Sequence, residues 1–378
     1  MVAGCSAAEA PVRVEFEGGR LTSSEVCGRC HQDIYAFWRD SDHAQSASSR
    51  VFQETLKIAE ESFGDSIREF CLSCHAPNTL HTADYQLDSS LTREGVGCDF
   101  CHSIREMHLE RTKQENRFVL DVGTTKYGTF SSTVDAGHET ADWPSGKESD
   151  ICAGCHEYRN SAGVEVLSTF SEWRDYIRSG GQKECRDCHM ELSLRGVAEP
   201  RAKREATAAV NLHNMADVHS IAKLRRSMRL RILSIRKMQD SLQISIEVAN
   251  VGAGHKVPTG SPLKKVVLRL DVKGDSGRIL SDERHYERVV LDGNGLPLSL
   301  DSHILLQAAA IDRDTRIAPR EHRVERFEFP LPGSGNLEVR ATLTYLYSPH
   351  GDPESQIRKV FFTEKKSLLD YWTRFSNR

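Results

Sequence analysis

The chain has 378 residues, 38% of them apolar and 28% charged, with a formal net charge of −4. That length accommodates two domains at roughly 100–200 residues each. The near-balanced charge excludes the basic footprint of a nucleic-acid binder, and no run of about 18 apolar residues is present to cross a membrane as a helix.

The chain opens Val2-Ala3-Gly4-Cys5, small residues running into Gly-Cys as in a bacterial lipoprotein box, without the charged and apolar regions that precede one. Residues 1–20 are expected to be a lipobox-like tail with Cys5, which has no motif partner, as a site of lipid attachment. The plain alternative is an incidental N-terminal cysteine.

Ten of the eleven cysteines form five Cys-x-x-Cys pairs, each followed at once by histidine. They are Cys27/Cys30/His31, Cys71/Cys74/His75, Cys98/Cys101/His102, Cys152/Cys155/His156 and Cys185/Cys188/His189. Chance in this composition predicts about 0.013 such motifs. Two thiols three positions apart each add across one vinyl group of a haem, and the next histidine sits below the iron as its proximal ligand. Zinc needs four ligands and would pair the motifs in twos, which five do not allow. A thioredoxin-type redox pair occurs once, near a βαβ pattern, and disulfide staples have no use for the histidines. The motifs therefore predict five covalently attached haems over residues 21–222. Their starts lie 44, 27, 54 and 33 residues apart, too irregular for a solenoid repeat, and suit short helices and loops wrapped around a haem stack.

Electron-transfer haems take a second axial side chain. Eleven histidines remain for that role, and the few methionines lie mostly in strand-like or charged contexts. His43 ends an aromatic-faced helix, Tyr35 to Trp38, that runs into a polar bend. His138 lies in a loop before the fourth motif, and His213 and His219 follow the fifth. His255 lies in a glycine- and proline-rich turn, Gly252 to Gly260, between two strands. These five equal the expected irons in number. His81 and His108 are reserves, while His285, His303, His322 and His350 read as surface or strand residues. No catalytic residue is assigned.

Beyond about Lys223 cysteine disappears and strict alternation begins, as half-buried strands require. Leu242, Ile244, Ile246 and Val248 form one run, and Val266, Leu268, Leu270 and Val272 the next, followed by a turn at 274–277. Phe327, Phe329 and Leu331 form a third run, and Leu337 to Tyr347 the longest. Residues 223–365 are expected to be a β-sandwich of immunoglobulin-like type, with a jelly roll or partial barrel as the alternative. Residues 366–378 are expected to form a C-terminal helix with Tyr371, Trp372 and Phe375 as anchors. The fold class is thus α+β: a mostly helical and looped multihaem domain followed by an all-β domain. The glycine-rich turn is expected to carry His255 into the haem domain and lock the two together.

With these residues in hand, the chain resembles the bacterial multihaem cytochromes related to the tetrahaem electron acceptor of hydroxylamine oxidoreductase. The likeness rests on five segments: Trp38 to Ala44, Cys74-His75-Ala76-Pro77, Gly95 to His102, Cys155 to Asn160, and Cys188-His189-Met190. The Gly254 to Gly260 turn resembles that of members with a C-terminal β domain. The resemblance implies a haem stack, bis-histidine ligation with His43, His138, His213, His219 and His255 as ligands, and electron transfer as the task. The motif count departs from the four-haem member. The Cys-x-x-Cys-Lys motif of nitrite-reducing relatives is absent, as is an evident match to a tyrosine-linked catalytic haem.

The expectation is therefore an exported electron carrier, in the periplasm or as a lipoprotein at the outer membrane or cell surface. Its partners would be other cytochromes, a quinol-linked donor or an extracellular acceptor, with self-assembly into an oligomer or filament open. Two alternatives stand beside it. One is an oxidoreductase acting on nitrite, hydroxylamine, nitric oxide or a metal oxyanion at one five-coordinate haem; the other is a structural subunit whose β domain binds a partner. If Cys5 is lipidated, the gene encodes an apolar leader upstream of Met1; a genomic stop codon just before Met1 would end that expectation.

Overall fold

The computed structural model describes residues 19–110, 117–129, 138–143, 148–190, 192–193, 210–215, 220–332 and 335–368. Cys5, His219 and residues 369–378 lie outside these. The fold is α+β, in two compact units: Met1–Cys155 with Lys183–Asp217, and His156–Gln182 with Val218–Arg378.

The first unit is built of short helices joined by turns, with small two-stranded ladders between them. The helix Arg50–Phe63 illustrates its local logic. Phe52, Leu56 and Ala59 are buried at spacings of four and three, one face of a helix. The Ser49 side chain caps the start by accepting from the Phe52 amide at 3.3 Å, and Gly64, at φ 82°, ends it. The buried face packs with Ala47, Leu72 and Ala76, which joins it to the helix Ile67–His75.

The second unit carries seven long strands: β1 (Met228–Lys237), β2 (Ser241–Asn250), β3 (Lys264–Gly274), β4 (Ile279–Tyr286), β5 (His322–Pro330), β6 (Leu337–Tyr347) and β7 (Ile357–Leu368). They form two antiparallel sheets, ordered β5-β2-β1 and β4-β3-β6-β7, the plan of an immunoglobulin-like sandwich. Alternate residues supply the core: Leu242, Ile244, Ile246 and Val248 from β2, Val266, Leu268, Leu270 and Val272 from β3, and Val339, Ala341 and Leu343 from β6 are all fully buried. Both sheet edges are bridged. The Ile232 amide donates to Glu364 Oε2 at 3.0 Å between β1 and β7, and the Arg284 guanidinium covers the Phe327 ring at 4.4 Å between β4 and β5.

Three expectations need correction. The boundary at 222/223 is not where the units divide: residues 156–182 belong with the β strands. Cysteine content marked the expected boundary, whereas buried contacts decide the real one. The hairpin Glu157–Arg159/Glu165–Ser168 buries Val166 among Val290, Ile304 and Ala308, and Asn160 Nδ2 donates to the Ala308 carbonyl at 2.7 Å. Second, the start of the expected C-terminal helix is strand, since β7 continues through Ser367 to Leu368 paired with β6. Third, β5 ends at Pro330, one residue before Leu331.

Leu268→Ala, in the sandwich core, should cost about 2–5 kcal/mol in equilibrium unfolding. Ile279→Ala, on β4 with 57% of its surface exposed, should stay within about 0.5 kcal/mol. Equal losses would contradict the inward and outward faces described.

Candidate haem-binding sites

Each Cys-x-x-Cys pair lies on a helical turn, which places residues three apart on one face. The third and fifth motifs are the helices Cys98–His102 and Cys185–His189. The second and fourth end the helices Ile67–His75 and Asp150–His156. In the first, the His31 amide donates to the Cys27 carbonyl at 2.9 Å and continues the turn of Ser24–Gly28. None of the ten cysteines is in a disulfide.

Polar side chains stitch the helix starts together. Glu94 accepts from the Ser24 amide at 2.9 Å and from its hydroxyl at 3.0 Å, and Ser24 Oγ accepts from the Cys98 amide at 2.9 Å. Asp99, buried inside the third motif, accepts from the Thr22 amide at 2.6 Å and pairs with buried Lys126 at 2.5 Å. Glu184 and Asp187 form a capping box on the fifth motif, and Ser149 ties Glu184 and the Cys185 amide to the start of the fourth.

The histidines divide by which nitrogen is engaged. Nδ1 of His75 faces the Ser46 carbonyl at 3.1 Å, that of His102 the Tyr127 carbonyl at 2.6 Å, and that of His138 the Glu139 carbonyl at 3.0 Å. Nδ1 of His213 faces the Asn211 carbonyl at 2.9 Å and that of His255 the Lys256 carbonyl at 2.9 Å. A carbonyl only accepts, so Nδ1 carries the hydrogen and Nε2 keeps its lone pair, the tautomer of a histidine about to bind metal. Burial holds His102, His138, His156 and His255 below the usual imidazole range and takes His213 down to about 4, so these rings stay uncharged at neutral pH. His81 and His108 differ: Nε2 of His81 meets the Gly19 carbonyl at 3.0 Å, and His108 faces Glu110 and Glu106 with its two nitrogens.

Rings also face one another. The centroids of His31 and His138 are 6.1 Å apart, and those of His102 and His213 are 6.0 Å apart. A metal about 2 Å from one nitrogen of each ring sets the ring centres roughly 6 Å apart, so both spacings suit an iron held between two imidazoles. His156 and His255 lie in one unit; Lys264 disfavours the charged form of both rings, and His255 adds to that effect on His156. His255 was expected to reach the haem motifs from the β domain; His156, the histidine of the fourth motif, is grouped with it in the β-rich unit. The turn carrying His43 is held by the Val96 amide donating to the His43 carbonyl at 2.9 Å and by Ser46, whose hydroxyl reaches the His75 carbonyl at 2.6 Å. His285 is in β4 and His322 starts β5, as strand residues; His303 instead lies on the helix Asp301–Gln307.

Burial and neighbouring thiols disfavour the thiolate at several of these sulfurs, whereas hydrogen bonding with Cys152 lowers Cys185. Burial pushes the Cys71 and Cys101 thiols up to about 12. Hydrogen bonding to Cys98 raises Cys27, and hydrogen bonding to Cys74 raises Cys155. At these four positions ionised sulfur is disfavoured, and an uncharged thioether suits them. Among the described residues no three His, Cys, Asp or Glu side chains converge as a zinc site would need.

Residues 26–103 match the family model described as cytochrome c554 and c-prime. The crystal structure of a penta-haem cytochrome c552 from Thermochromatium tepidum aligns with 93% of this chain and all of its own, at 23% identity and a TM-score of 0.74. The chain shares its fold. The putative ApaA protein from Bordetella pertussis aligns with 36% of the chain and 90% of its own at 10% identity, and its TM-score of 0.21 is too low to carry an argument. No curated protein matches the chain. Together with the motifs, these likenesses support a multihaem c-type cytochrome, with c-type haem as cofactor and electron transfer as its use.

Sequence reasoning missed residues that hold the turn of a candidate ligand, His255. Glu172 and Asn250 both grip the turn bearing His255. Thr169-x-x-Glu172 reads as an ordinary helix-start signal, and Asn250 as the polar end of a strand.

Glu94 generates a pH prediction. Burial, with a smaller contribution from Asp99, raises its carboxyl from 4.5 to about 7. The folded state then binds the proton more tightly than the unfolded chain, so this contribution to stability is full below about pH 4.5 and lost as pH rises through about 7. Glu94→Gln should remove that slope, on the order of 3 kcal/mol, so its Tm relative to the parent rises between pH 4.5 and 7.5. A Tm difference independent of pH would contradict the assignment.

Proposed function

We propose that this chain carries five covalently bound haems and serves as an electron carrier outside the cytoplasm. The observation that carries the reading is that the five motifs form one connected set. The thiols of Cys27 and Cys98 interact, as do those of Cys74 and Cys155 and those of Cys152 and Cys185. Cys101 is an electrostatic neighbour of both Cys152 and Cys155. Motif one thus adjoins motif three, three adjoins four, and four adjoins both two and five. Bound haem supplies a one-electron iron couple whose potential follows axial ligand and environment; the chain's part is to hold five such sites next to one another.

In this reading Cys27, Cys30, Cys71, Cys74, Cys98, Cys101, Cys152, Cys155, Cys185 and Cys188 form the thioethers, and His31, His75, His102, His156 and His189 are the proximal ligands. His138 serves with His31, His213 with His102, and His255 with His156, leaving His43 and His219 for the irons of His75 and His189. Among the described residues, buried apolar side chains are fewer in the helical unit than in the sandwich, which supports bulky cofactors as part of its interior. The Gly4-Cys5 box supports export as a lipoprotein of the periplasm, outer membrane or cell surface, with redox proteins as partners.

Electron paramagnetic resonance of the oxidised protein, with haem counted in parallel, tests the reading. The expected result is five haems per chain and low-spin signals alone. A stoichiometric high-spin signal would replace the carrier with an oxidoreductase acting on small nitrogen compounds or a metal oxyanion at an open iron.

A further inference from the structure

Within the turn at 252–260, Val257 bridges Ile317 through backbone hydrogen bonds of 3.0 and 3.1 Å, and side chains hold the backbone at further points. Asn250, fully buried, donates through Nδ2 to the His255 carbonyl at 2.9 Å and accepts from the Ala253 amide at 3.0 Å. Close packing leaves no space for a side chain at Gly252, where a Cβ would meet the Arg226 carbonyl. Two further contacts fall on Lys256. Its amide donates to Glu172 Oε2 at 3.0 Å, and its carbonyl accepts from His255 Nδ1 at 2.9 Å. The peptide groups on either side of Lys256 are thus used twice: one is gripped by Glu172, and the other orients the imidazole.

Glu172 is equipped for this. It lies on the helix Thr169–Arg178, and only 7% of its side chain is exposed. Oε2 also accepts from Thr259 Oγ1 at 3.0 Å, at the far end of the same turn. Oε1 accepts from Ser168 Oγ at 2.8 Å and pairs with Arg316 Nη2 at 2.8 Å. Arg316, equally buried, is held by a two-pronged pair with Asp314 at 2.8 Å on each arm, and Lys256 Nζ joins Asp314 at 2.8 Å. A buried carboxylate is costly unless paired and fully hydrogen-bonded; here four donors converge on its two oxygens, and two of them belong to the turn that carries His255.

We infer that Glu172 is a positioning residue for an iron ligand: it fixes the 255–259 backbone so that the His255 imidazole presents Nε2 in one orientation. The inference rests on the reading of His255 as a ligand. Groups that orient a ligating histidine typically change metal affinity by about 10–100-fold when lost. Glu172→Gln is the informative variant. It keeps the volume, but an amide has a single accepting oxygen and cannot serve both Arg316 and the Lys256 amide.

The experiment compares the full-length, haem-loaded parent with H255M, E172Q and E172A. Haem is counted, low-spin and high-spin signals are recorded, and exogenous imidazole is titrated as the competing ligand. H255M should alter one low-spin signal. E172Q should retain all five haems, perturb that same signal, and allow imidazole to bind there at a concentration about tenfold or more lower than in the parent. E172A should act in the same direction and more strongly. An H255M spectrum identical to the parent's would remove His255 from the ligand set, and the inference with it. A changed H255M beside an E172Q whose signals and imidazole response match the parent's, even with a lowered Tm, would overturn the inference alone and leave Glu172 a purely structural residue.

Discussion

An imidazole has two nitrogens, and in this protein the backbone decides which one is left over. Where Nδ1 of His75, His102, His138, His213 and His255 meets a carbonyl, the hydrogen must reside there, and Nε2 is left with its lone pair. Burial reinforces the choice at His102, His138, His213 and His255 by keeping the ring uncharged. Short helices, small ladders and a glycine-rich turn look dissimilar, but each brings one carbonyl to one histidine. His108 illustrates the contrast: with carboxylates facing both nitrogens, its ring has no such direction.

The two units bury themselves by different physics. The β-rich unit follows the period-two rule, with alternate residues of β2, β3 and β6 inside. Its buried pair of Glu172 and Arg316 is hydrogen-bonded on both sides, with the more exposed Asp314 completing the hold on Arg316. The helical unit has a smaller apolar cluster around Phe52 and Leu72, and its helix starts are joined through Ser24, Glu94, Asp99 and Ser149. Polar stitching of that kind defines the positions of cysteine-bearing helices without a broad apolar interface. It also places ionisable groups such as Glu94 close to the motifs, where their protonation is coupled to folding.

Much of the molecule was legible in its residues. Five Cys-x-x-Cys-His motifs name their chemistry because thioether attachment demands that spacing, and the alternation at Leu242–Val248 and Val266–Val272 names strands because side chains on a strand alternate faces. The division between the units was not legible, since Val166 and Asn160 carry no mark of burying themselves against Ala308 and its neighbours. Nor was the end of β7, where Ser367 and Leu368 extend a ladder set by pairing with β6.

The sequence by itself determined the cofactor chemistry, the strand-rich second half and the pool of histidines, because each depends on local spacing along the chain. Only the tertiary structure decided which histidines oppose one another, as His31 does His138 and His102 does His213, and which carboxylate holds the turn of His255. Those choices are made by residues tens of positions apart, and a ring's usable nitrogen depends on a carbonyl that the chain must first fold to deliver.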